Sequence, residues 1–157
     1  MICAKCGKGM VHQNRPCDHC GIGYDEMIDA ISHDELIRLI ERIDNNACGC
    51  ECSYLDESLL ACELWNAHFL VPIKMVDGKL AAMAVEDKKG KNYIMIFTDR
   101  NEYDKINSEI APATNPFDVC LDLLDENFEG FVINVENQAF ALSRGFLERY
   151  FDEYVKN

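Results

Sequence analysis

FLVPIKMVDGKLAAMAVEDKKGKNYIMIF, residues 69–97, decides the fold class. Asp77-Gly78 stands between two apolar-rich runs. That dipeptide is the signal of a two-residue hairpin turn, because such turns place positive φ at their central positions. FLVPIKMV therefore predicts a strand, and KLAAMAVE its antiparallel answer. A second turn at KKGK returns the chain into NYIMIF, a third strand. Pro72 has no N–H to donate, which suits a strand edge.

The pattern extends in both directions. GFVINVENQAFALS (130–143) predicts a final hairpin. Ser32 and Glu35 form a capping box for a helix over residues 32–44, with Ile31 and Leu36 as its hydrophobic staple. Leu36, Ile37, Ile40 and Ile43 are that helix's apolar stripe. Residues 55–67 predict a second helix whose apolar face carries Leu55, Leu59, Cys62 and Trp65, with Cys62 as a small core hydrophobe. Asp99 caps a helix running to about Asn107. Asn115, followed by Pro116 at the first helical position, starts a helix over FDVCLDLLDENF with Phe117, Cys120, Leu121, Leu124 and Phe128 inward. Ser143 caps the last helix. Strands joined by short turns and mixed with helices give an α+β fold, an antiparallel or mixed sheet packed with helices.

The amino-terminal stretch follows different rules. MICAKCGKGMVHQNRPCDHCG holds two Cys-x-x-Cys pairs, Cys3/Cys6 and Cys17/Cys20, separated by ten residues. Two intervening residues let a tight turn aim both thiolates at one ion, and two such turns supply the four sulfurs of a tetrahedral zinc site. Each pair is followed by glycine, Gly7 and Gly21, able to take positive φ. The expectation is a small zinc ribbon with a structural Zn2+, since four protein ligands leave no open position for chemistry. Iron fits the same ligands. Lys5, Lys8 and Arg15 offset the negative charge of the site, and His19 is expected to face solvent. With nine cysteines, an odd number, and no signal-peptide pattern, reduced thiols fit better than a disulfide framework. A cytoplasmic protein is expected. The longest apolar run, LAAMAV (80–85), is too short to span a bilayer.

A second cluster, Cys48, Cys50 and Cys52 with Cys62, admits two readings: a second metal or redox site, or a loop of small residues beside a core cysteine. Three regions result: residues 1–24 as the ribbon, 25–52 as a helix and Cys-rich linker, and 53–157 as the α+β domain.

AHFLVPIKM (67–75), NYIMIFTDRNEYDKI (92–106), NPFDVCLDLL (115–124) and GFVINVENQAFALS (130–143) resemble the SseB N-terminal domain family from about residue 55 onward. A helix leads into a "VP" strand, a strand ending in "FTD" leads into a capped helix, and a strand of the "VINP" type follows, with Val135 here in place of proline. The resemblance implies an α+β module; it carries no catalytic residues over.

Charge narrows the partners. The net charge of −13 opposes phosphate, so nucleic-acid binding is not expected, even by Lys5, Lys8 and Arg15. Residues 106–143 hold seven acids and no Lys or Arg. No nucleophile elbow, P-loop, dinucleotide fingerprint or His-Glu-x-x-His is present. Two weaker constellations have simpler readings. Cys120 with His68 reads as a core cysteine, and Asp118, Asp122 and Asp125 read as a solvated face. The sequence therefore favours a non-enzymatic binding or adaptor protein with a protein partner. A thiol- or metal-dependent sensor at Cys48–Cys52 is the alternative.

Overall fold

Successive residues of the strands part to opposite sides of the sheet, and both sides are covered. The computed structural model describes residues 1–45 and 52–155. In β5 (Asn92–Ile96), Ile94 and Ile96 join one buried cluster, while Met95 and the following Phe97 join another. In β7 (Gly130–Ile133), Phe131 and Ile133 part from Val132 in the same way. In β1 (His68–Val71), Phe69 and Val71 part from Leu70. A period of two with apolar residues in both phases is what a sheet buried on both faces requires.

The central sheet runs β4-β5-β7-β8, with β4 Ala84–Glu86 and β8 Phe140–Ser143. β4 and β5 pair antiparallel, β5 and β7 parallel, and β7 and β8 antiparallel, so the sheet is mixed and the fold is α+β. The Asp77-Gly78 hairpin is present: β2 (Ile73–Val76) and β3 (Lys79–Ala82) flank it, and its two residues take φ of 52° and 76°. β1 pairs antiparallel with β6 (Ala113–Pro116) and exchanges two backbone hydrogen bonds with Phe97 through Leu70, each 2.9 Å.

One face of the sheet carries helices α2 (Asp34–Asn45), α3 (Cys52–Trp65), α5 (Phe117–Leu121) and α6 (Arg144–Phe151). The other carries the cysteine module, α1 (Tyr24–Asp29) and Tyr103 of α4 (Arg100–Asp104). Residues 25–45 thus sit in the core on both sides: Met27 and Ile28 on one, Leu36, Leu39 and Ile40 on the other.

Two of the expected caps close their helices as read. Asp99 accepts from the Glu102 N–H at 3.0 Å, and Ser143 accepts from the Phe146 N–H at 3.2 Å. Three expectations are corrected. α2 begins at Asp34, with the His33 carbonyl accepting from Ile37 N–H, one residue later than a Ser32 cap requires. His33 is fixed there by a tertiary bond, its Nε2 lying 2.7 Å from the His68 carbonyl. Asn115 and Pro116 belong to strand β6 opposite Phe69 and His68, and α5 ends at Leu121. Asp122 and Asp125 therefore lie beyond the helix that carries Asp118.

The third correction concerns α3. Leu55, Leu59, Cys62 and Trp65 do not face the core; Leu60, Ala61 and Leu64 do. This helix has apolar residues all round, so periodicity cannot select the buried face and its packing partners do.

Candidate metal centre

Cys3, Cys6, Cys17 and Cys20 converge, their sulfurs all lying within 4.8 Å of one another. Two of the separations, Cys3 to Cys20 and Cys6 to Cys17, are 3.7 Å. Metal–sulfur bonds of about 2.3 Å in a tetrahedron require sulfurs about 3.8 Å apart, so the donor set fits one tetrahedral ion.

The two turns are built alike. In the first, Gly7 N–H donates to the Cys3 carbonyl at 2.8 Å; in the second, Gly21 N–H donates to the Cys17 carbonyl at 2.9 Å. Each closure needs left-handed backbone at the glycine, and φ is 66° at Gly7 and 78° at Gly21. The N–H groups that reach sulfur come from other residues. Gly9 donates to Cys6 Sγ at 3.5 Å, and His19 and Cys20 donate to Cys17 Sγ at 3.4 Å. The Gly9 and Lys8 backbone N–H groups beside Cys6 lower its thiol to about 6. The Cys20 N–H, with that of His19, lowers Cys17. Cys20 receives a lowering contact from the Ile22 backbone, but burial and the three neighbouring sulfurs outweigh it and raise the thiol to about 11. Binding of a soft cation would displace the protons that remain on the four sulfurs.

Sequence reasoning missed Gly9. A Cβ there would lie 2.3 Å from Cys17 Sγ, so only glycine lets the first turn pass against the second. Its position three residues after Cys6, where its N–H reaches that sulfur, was the available signal. Lys5, Lys8, Arg15 and His19 are exposed.

The module is fastened to the sheet. Ala4 N–H donates to Met27 Sδ at 3.3 Å, and Thr114 reaches Met1 Sδ through Oγ1 at the same distance. Cys3, Val11, Cys17 and Ile22 share a buried cluster with Leu70, Phe97 and Val132. Arg100 of α4 lies 3.3 Å from Asp25 and 3.6 Å from Asp29, tying down α1.

At the ends of the parallel strands, Asn134 is fully buried with φ of 53°. Its Oδ1 accepts from Thr98 N–H at 3.0 Å, and its Nδ2 donates to Thr98 Oγ1 and Gln138 Oε1, both 2.9 Å. This clamps β5 to β7 where the "FTD" and "VIN" stretches meet. The chain matches the SseB protein N-terminal domain over residues 56–149, well over half its length. The chain belongs to the SseB N-terminal domain family. No curated protein and no solved structure matches it. The cysteine module and α1 precede the matched SseB segment, yet cover one face of its sheet.

The remaining candidates are placed as follows. Cys48 and Cys50 lie outside the described residues, as does the side chain of Cys52; Cys62 is exposed. Cys120 is fully buried, donates to the Asn115 carbonyl, and burial pushes its thiol far up. Burial and nearby His33 lower His68. Among the described residues, no helix is long and apolar enough to cross a membrane.

Proposed function

We propose that this is a non-enzymatic binding protein, an SseB-type α+β domain braced by a structural zinc site at Cys3, Cys6, Cys17 and Cys20. The carrying observation is the closed set of four converging sulfurs, mounted on the sheet through a shared core. A tetrahedron completed by protein ligands has no position for substrate, so its contribution is to hold structure. Lys5, Lys8 and Arg15, carried by the module it holds, are each exposed. They form a contact surface for a protein partner in a compartment that keeps thiols reduced.

A second reading places thiol or metal chemistry at Cys48, Cys50, Cys52 and Cys62. The exposure of Cys62 favours it, since a core role would bury that thiol.

Metal content per chain with a count of reactive thiols separates the two. One zinc, lost on Cys6→Ser and retained on Cys62→Ser, is the expected result. Two metals per chain, or a hyper-reactive thiol in residues 48–62, would replace the binding reading with the sensor reading.

A further inference from the structure

The four sulfurs are not equally sheltered. Cys3 and Cys17, the first cysteine of each turn, are buried, Cys6 is half-buried and Cys20 is exposed. The flanks of Cys20 give it no cover, for Asp18, His19 and Gly21 are exposed as well. An oxidant arriving from solvent therefore meets Cys20 first. Behind it lies the sulfur of Cys3, 3.7 Å away and wholly out of solvent. Cys6 and Cys17 repeat the arrangement, an outer sulfur 3.7 Å from a buried one. Both of these pairs run across the two turns and not within a Cys-x-x-Cys. An accessible thiolate beside a second, resolving cysteine is the arrangement of a redox sensor. Metal ligation supplies the thiolates, because a coordinating thiol is deprotonated outright.

We infer that the four-cysteine site is a peroxide-sensitive switch: Cys20 is oxidised first, Cys3 closes a disulfide with it across the turns, and the metal is released. The Cys20 thiolate attacks one oxygen of hydrogen peroxide. An S–O bond forms, the O–O bond breaks and hydroxide leaves, so Cys20 becomes a sulfenic acid. The Cys3 thiolate then attacks that sulfur. An S–S bond forms, the S–O bond breaks and a second hydroxide leaves. Two thiolates give up two electrons, peroxide takes them, and two protons from solvent convert the hydroxides to water. The sulfurs must close from 3.7 Å to about 2.05 Å, a movement open to the exposed segment 18–21 while Cys3 stays in the core. Two thiolates remain, too few to hold a tetrahedral ion. A thiol reductant reverses the disulfide. Lys5 lies between Cys3 and Cys6, and Lys8 and Arg15 between the two pairs, so the switch acts on the segment that carries the contact surface. The inference rests on the structural-zinc reading and names the regulation of that site.

The test uses zinc-loaded full chain carrying Cys48→Ser, Cys50→Ser, Cys52→Ser and Cys62→Ser. Cys120, fully buried, is then the one cysteine outside the site. Hydrogen peroxide is titrated in, a chromophoric chelator reads released zinc, and peptide mass mapping without reductant reads the disulfides. One zinc per chain should be released as the Cys3–Cys20 disulfide accumulates ahead of Cys6–Cys17. Dithiothreitol with added zinc should restore the loaded protein. Cys20→His keeps four ligands but removes the exposed sulfur, and should slow release at least about tenfold. The order of the disulfides is read in the parent chain, so it stands whether or not that variant folds. A first disulfide within a pair, Cys3–Cys6 or Cys17–Cys20, would overturn the inference. So would sulfinic acid at Cys20 with no disulfide, or undiminished release from a zinc-loaded Cys20→His chain. A chain that holds one zinc and keeps it under peroxide overturns the switch and leaves the structural reading standing. A chain that binds no zinc overturns both.

Discussion

Gly9→Ala should empty the four-cysteine site without altering any of its ligands. The added Cβ would sit 2.3 Å from Cys17 Sγ, 2.7 Å from Asp18 Oδ1 and 2.8 Å from His19 Cβ. Heavy atoms settle at about 3.5–4.0 Å, so Cys17 or the Gly9 backbone must give by more than about 1 Å. Metal–sulfur distances tolerate only about 0.2 Å. Asp18 Oδ1 also accepts from Met10 N–H at 2.9 Å, a bond that ties the two turns together and would be strained in the same movement. Outer-shell changes at metal sites typically cost about 10–100-fold in affinity, and this one displaces a ligand itself, so a loss of at least about 100-fold is expected. Zinc affinity is read by competition with a chromophoric chelator, and ligand geometry by the thiolate charge-transfer bands of the Co2+ form. Gly23→Ala is the control, because no heavy atom lies within 4 Å of its added Cβ and its φ is an ordinary −74°. A Gly9→Ala protein with wild-type affinity and an undiminished four-thiolate spectrum would refute the packing argument.

Three further outcomes follow from the same geometry. Asn134→Ala leaves the buried Thr98 N–H unpaired and puts alanine at a φ of 53°, a loss of about 3 kcal/mol in urea unfolding, of which Asn134→Gly should recover about 1 kcal/mol. Burial, with His33 nearby, holds the His68 imidazole below its usual value, so the fold favours the neutral ring. Its stabilisation is complete above the unfolded value of about 6.5 and is lost as pH falls through the lowered one, so His68→Gln should flatten the acid side of the stability profile. Stripping the metal with a chelator should raise hydrogen exchange in residues 1–24 while α3 stays protected, since the module and α3 lie on opposite faces of the sheet. Equal deprotection on both faces would show instead that the module holds the whole fold.

Features closed within a few residues were determined by the sequence itself. Asp77-Gly78 turned the chain because both residues tolerate positive φ. Asp99 and Ser143 capped helices because each oxygen needs only an N–H three residues ahead. Each Cys-x-x-Cys-Gly repeat turned its own two sulfurs the same way by the same local logic, Cys3 with Cys6 and Cys17 with Cys20. The tertiary structure decided what depends on a distant partner. β6, read locally as a helix start, became a strand because β1 supplied its hydrogen bonds from more than forty positions away. α3 was ambiguous because apolar residues occur all round it, and only docking against α2, α5 and the shared core chose Leu60 and Leu64 over Leu55 and Leu59. Asn134 reads locally as a turn residue, and only the parallel pairing of β5 with β7 set Thr98 beside its amide. Backbone conformation and capping are short-range forces, fully written in neighbouring residues. The choice of which apolar face to bury is made by whatever surface arrives to cover it.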